Sequence, residues 1–176
     1  MKRLLLLAFA CLALAGVTAA SAAGAKPSKS FSAADEQYLK TSIEGDRFEI
    51  IGGKWAQTHT KNAAVLRMAD RIVSDHTKSL KDAVKLARSL GIDVPSNPTP
   101  SEVWELKIVT GLRGRAYNHW YASLEVYDHV QDIQETTDEI KDGTNSQIRD
   151  DAKTELPMLQ VHLSLARAAL AANPTG

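Results

Sequence analysis

The chain has 176 residues, with 21 basic and 21 acidic side chains interspersed along it, and it lacks the basic stripe expected of a nucleic-acid partner. Its single cysteine, Cys11, lies in the N-terminal apolar run. Once that run is removed, disulfides, a thiolate nucleophile and sulfur metal ligands are excluded, and any chemistry must use nitrogen and oxygen.

The chain opens MKRLLLLAFACLALAGVTAASAAG: two basic residues, an apolar stretch, then Ala20-Ser21-Ala22, the small-x-small pattern of a signal peptidase site. This predicts a signal peptide over 1–22, cut after Ala22, and an exported protein, periplasmic or secreted. The apolar stretch is short for a membrane span and has no charged stop-transfer flank. Phe9 fills a position where a lipoprotein box carries a small residue, which argues against a lipid anchor on Cys11. Cleavage leaves 154 residues with 19 basic and 21 acidic groups, a net charge of −2, and a length that suggests one domain with its own core.

Residues 23–31 read as a flexible leader. Ser32 and Asp35 then mark a helix start, a hydroxyl at the N-cap and a carboxylate three residues on, and the first helix is predicted over Ala33 to His59. A second pattern runs from Asn62 to Leu90 and stops at Gly91; GIDVPSNPTP is a proline-rich connection. Thr99, Pro100 and Glu102 form a complete start signal for a short helix over Pro100 to Thr110. Gly111 and Gly114 allow a bend, a third long helix follows over Arg115 to Lys141, and Gly143 ends it. The last helix covers Asn145 to Ala172, with Pro157 inside it, where a missing amide predicts a kink. The expected domain is thus 32–172, with a tail over 173–176. No alternating pattern predicts strands. The fold class is all-α: a four-helix bundle with a short extra helix in the crossover between helices two and three.

Each long helix carries polar residues on its apolar side. In the second, Val65, Met68, Ala69, Ile72, Val73, Leu80, Val84 and Ala87 recur at helical spacing, and His76 belongs to the same stripe. In the third, Tyr121, Glu125 and His129 are successive i+4 neighbours. In the fourth, Glu155 and His162 fall along one edge of the stripe Ile148, Ala152, Leu156, Leu159, Leu163, Ala166 and Leu170. The first helix offers Asp46, Glu49 and Gly53.

The blocks DRFEIIGGKWA, RIVSDHTKSL, GRAYNHWYASLEVYDHV and LPMLQVHL follow in an order and at separations that resemble an exported bacterial family with a ferritin-like fold, the domain of unknown function numbered 4142, whose members carry membrane or outer-membrane labels. The resemblance spans about Asp35 to Leu170, with matching positions Glu49, Asp75, His76, Tyr121, His129, Leu156, Pro157 and His162. Tyr117-Asn118 stands where the family has Phe-Asp, so no role passes to that position. The resemblance implies a ferritin-like bundle and an export route, and no activity.

Three residues before His76, His129 and His162 stand Val73, Val126 and Leu159, so the Glu-x-x-His motif of a di-iron bundle is absent. A mononuclear site remains, with Glu49, His76, His129 and His162 as ligands and Glu125, Glu155 and Tyr121 behind them or as alternates. Imidazole donors suit zinc, copper, nickel or iron, with binding that weakens in mild acid. The competing reading is a structural or interaction protein in which the same side chains form a buried hydrogen-bond network that fixes helix register. No nucleophile elbow, phosphate loop or HExxH occurs, and no enzymatic reaction is read from the sequence. Asp75 and His76, adjacent on a helix, diverge by about 100° and do not form a dyad. His59 and His119 are expected near the surface, and Trp55, Trp104 and Trp120 as core or interface anchors. A metal ion and a second copy of the chain are the partners left open.

Overall fold

A computed structural model describes residues 30–175. The signal peptide read at 1–22, the leader as far as residue 29 and the last residue of the tail lie outside the described residues. The described chain is all-α: α1 Ala33–His59, α2 Ala63–Leu90, α3 Pro100–Thr110, α4 Gly114–Asp142 and α5 Ser146–Ala171. No strand occurs among the described residues.

Local chemistry explains where these helices start and stop. Ser32 Oγ accepts from the Asp35 amide at 3.0 Å and Asp35 Oδ2 accepts from the Ser32 amide at 2.6 Å, a reciprocal cap that satisfies two otherwise orphaned donors. Asp35 also accepts from the amide of Thr144 at 2.8 Å and from its hydroxyl, tying the start of α1 to the α4–α5 connection. Burial alone would raise the Asp35 carboxyl, but these bonds from Thr144 and Ser32 hold it well below the ordinary range. Thr99 and Glu102 cap α3 in the same reciprocal way. Gly91 ends α2 at φ 69°, a left-handed conformation, and lets the Ile92 amide reach the Ala87 carbonyl at 2.8 Å. The domain reaches slightly past the expected limits, since Phe31 is buried in the core and Asn173 is held between Asn62 and the Ala169 carbonyl.

The helices pair as two hairpins, α1 with α2 and α4 with α5, joined face to face mainly by α2 against α5; α3 lies across α1 and α4. Gly53 sets the first hairpin. A Cβ placed there would come 2.5 Å from Val73 Cγ2 and 3.3 Å from the Ala69 carbonyl oxygen, and a β-branched valine has little rotamer freedom to yield. Gly53→Ala is therefore expected to cost about 1–3 kcal/mol by overpacking. A thermal melt checks this, and an unchanged midpoint would mean the two helices do not approach so closely.

Pro157 does not break α5, which runs unbroken through it. Pro157 and Lys153 both lie on the exposed side, where the carbonyl deprived of its amide partner can be hydrated. Of the tryptophans, Trp55 packs beside the core with His59 stacked on it, while Trp104 and Trp120 are exposed, Trp120 with the His119 ring edge-on to it. His59 is exposed as expected, whereas His119 is partly buried, its Nδ1 2.8 Å from the Asn173 carbonyl.

The core is not continuous. One apolar cluster gathers Ala56, Val65, Met68, Ile72, Tyr121 and Ala166; the other gathers Leu39, Ile43, Ala83, Ala87 and Ile148. Read along each helix, the interval between the clusters is where Asp46 and Glu49, His76, and Glu155 and His162 fall. The bundle therefore carries a buried polar layer between two apolar ends.

Candidate metal centre

Helical periodicity places this layer. On α5 the buried line is Ile148, Ala152, Glu155, Leu159, His162, Ala166 and Ala169, so Glu155 and His162 occupy the centre of the inward face, not its edge. Leu156, Leu163 and Leu170 are only partly buried. On α2, Ile72 and His76 share the inward stripe, and on α4 Tyr121, Glu125 and His129 are all buried in one line.

The histidines converge. His129 and His162 are 0 % exposed and His76 is 3 % exposed, and one ring nitrogen from each lies within 4.8 Å of the other two. His162 Nδ1 is 3.2 Å from His76 Nε2, close to the ~3.3 Å between tetrahedral ligands held at 2.0–2.1 Å from one ion. The outward nitrogen of each ring is engaged. His76 Nδ1 is 2.7 Å from Asp46 Oδ1, His162 Nε2 is 2.9 Å from Asp75 Oδ2, and His129 Nδ1 donates to the Glu125 carbonyl at 2.9 Å. Such outer partners fix the tautomer and orientation of metal-binding imidazoles.

Burial pushes all three imidazoles toward the neutral form: His76 down to about 4, His129 to about 3 and His162 to about 4. Protons would therefore compete for these nitrogens only near pH 4, which moves the expected loss of binding from mild acid to stronger acid. Burial also opposes the charge on Asp75, but hydrogen bonds with Arg71 and His162 outweigh it and keep that carboxyl low. Asp75 thus pairs across the bundle with His162, while the neighbouring His76 turns to Asp46.

The six side chains expected to share one site separate into three groups. His76, His129 and His162 form the first. Glu49 and Glu125 lie on the other side of the His129 ring, where His129 Nδ1 stands 3.6 Å from Glu49 Oε1 and 3.7 Å from Glu125 Oε2, beyond hydrogen-bonding range. Glu155 belongs to a third group, receiving Tyr38 Oη at 3.2 Å, Ser42 Oγ at 3.4 Å and the Ser79 hydroxyl, and it is in neither set of side chains able to converge on an ion. Burial and then Asp46 raise Glu155 to about 7, against those hydroxyl bonds.

Residues absent from the expected site complete the layer. Asp46 orients His76, and Asp128 joins Glu49 and His129 in a second potential cation group. Asp132 lines a pocket of about 30 Å³ together with Asp46, His76 and Glu155, a space of water size that reaches His76 from the α1–α4 side. The signal for these acids was their spacing, since Asp128 and Asp132 stand three and seven residues beyond Glu125, on the same inward arc.

No helix among the described residues is long and apolar enough to cross a membrane. No curated protein and no solved structure matches the chain. A family model does match, over residues 19–169, so the convergent histidines and the acids around them sit within a shared domain: the chain belongs to the family described as Domain of unknown function (DUF4142).

Proposed function

We propose that this protein is an exported, ferritin-like bundle that holds one transition-metal ion on His76, His129 and His162. The observation that carries this is the Nε2 of His129, which is buried and has no partner. Its role is unambiguous: a carbonyl only accepts, so the bond to Glu125 puts the proton of His129 on Nδ1 and leaves Nε2 as a bare lone pair. An unserved acceptor in a dry interior costs about 1–3 kcal/mol, and an ion bound there would remove that cost.

The hydrogen-bond network is favoured by another feature. If Asp46 carries a proton, a continuous chain runs from Asp46 through His76 and His162 to Asp75, each link having one donor and one acceptor. Burial does raise Asp46 well above its ordinary range. That chain nevertheless bypasses His129 and leaves its Nε2 unserved. With Asp46 ionised, by contrast, all three inward nitrogens are lone pairs, the donor set that borderline cations such as zinc, copper, nickel or iron accept.

Titration of the chelator-treated protein with Co²⁺ tests the proposal. One equivalent with the visible absorption of a nitrogen-ligated, low-coordinate ion is expected, and His129→Ala should weaken binding at least about 100-fold. Binding that is absent in the native chain, or indifferent to His129→Ala, would overturn it.

A further inference from the structure

We infer that the bundle has a second cation site, made of carboxylate oxygens, in which Glu49 of α1 and Asp128 of α4, with oxygens within 4.8 Å of each other and Glu125 adjoining them, take a hard divalent ion beside the imidazoles. Glu49 is 0 % and Glu125 1 % exposed, and both oxygens of each, with Asp128 Oδ2, are buried without a hydrogen-bond partner. That separates this cluster from an ordinary acidic surface, where water supplies the donors. Few donors stand nearby, and of these Tyr121 is the one placed to serve a carboxylate, that of Glu125. His129 Nδ1–H is committed to the Glu125 carbonyl, and the Tyr121 hydroxyl beside Glu125 makes no well-aligned bond of its own.

Ionised, these carboxylates present only acceptors to one another. A proton on Glu49 shared toward Glu125 and Asp128 would pair some of the oxygens, and burial with the charges of Glu125 and Asp128 pushes Glu49 in that direction. One divalent cation neutralises two charges and serves an oxygen of Glu49 and of Asp128 at once, whereas each shared proton serves one acceptor. Oxygen-only donors select the hard class, Mn²⁺, Mg²⁺ or Ca²⁺, and reject the softer ions suited to imidazole. α1 and α4 touch each other less than the other adjoining long helices do, and a pocket on that seam reaches Asp46 and Asp132, each about one helical turn from Glu49 and Asp128. His129 stands between the two centres, its Nδ1 toward the carboxylates and its Nε2 left for the imidazole site.

This site does not depend on the imidazole centre, and the experiment separates them. Full-length mature protein, first loaded with Zn²⁺, is titrated with Mn²⁺ and followed by electron paramagnetic resonance. One Mn²⁺ per chain should leave the free six-line signal, and binding should weaken at least tenfold in Glu49→Gln and Glu125→Gln. His76→Ala should retain Mn²⁺. Circular dichroism confirms folding of the variants; if either glutamine variant unfolds, Asp128→Asn, at the half-buried rim, takes its place. Native protein that leaves the free Mn²⁺ signal undiminished, or carboxylate variants that bind as well as the native chain, overturn the second site. Mn²⁺ bound with no uptake of Zn²⁺ would sink the imidazole reading alone.

Discussion

Chelator-treated protein is expected to melt about 10 °C lower at pH 8 than at pH 5.5. Burial raises Glu125, Glu139, Asp151 and Glu155 to about 7 and Asp128 to about 6, and takes Asp46, Glu49 and Asp132 well above their ordinary values. Between about pH 4.5 and 7 the folded chain therefore keeps protons on carboxyls that the unfolded chain has released. A group raised in this way contributes stability below its unfolded value and loses it as pH rises through the folded one. The histidines oppose this: lowered to between about 3 and 4, they stay neutral in the folded chain while the unfolded chain protonates them below about 6.5.

The carboxyls outnumber the imidazoles, so the net uptake favours the folded state in acid. Each extra proton is worth about 1.4 kcal/mol per pH unit, which makes a difference of about 3–5 kcal/mol reasonable after the two sets partly cancel. Below about pH 4.5 the carboxyl advantage ends and the histidines, with the low carboxyls Asp35 and Asp75, turn the curve downward. The optimum for the metal-free chain should thus lie near about pH 5. Melting curves in chelator across this range give the answer. A midpoint that rises steadily from pH 5.5 to 8 would show that the buried acids are already compensated by other charges.

Glu49→Met is expected to stabilise the metal-free protein at pH 8 by about 1–4 kcal/mol. The native side chain is wholly buried and neither oxygen has a partner, so the substitution removes an uncompensated polar group and keeps the volume. Chemical denaturation measures the change directly. The sign separates two roles for this position. A carboxylate that belonged to a satisfied register-fixing network would instead cost about 3–5 kcal/mol on removal, because its former donors would be stranded. A gain in stability bought at the loss of cation binding is the usual trade at a functional site.

How much of this was legible beforehand differs between particular residues. Ser32 with Asp35 and Thr99 with Glu102 are complete local signals, since cap and partner lie within one turn, and both caps form as read. His76, His129 and His162 could be placed inward from the apolar residues three and four positions away. The partners that define their chemistry could not. Asp46 and His76 are 30 positions apart, and Asp75 and His162 are 87 apart. No periodicity within one helix says which of several inward acids on its neighbour will meet a given ring.

Sequence alone determined the order and extent of the helices, the inward direction of the polar residues and membership of one fold class, because each depends on contacts within a few residues of chain. Tertiary packing decided that Glu49, Glu125 and Glu155 do not join the imidazoles as one site, that Asp46 and Asp75 hold two of the rings, and that His129 Nε2 is left unserved. Those outcomes depend on the register of one helix against another, and a shift of a single turn, about 5.4 Å, exceeds the length of every bond involved.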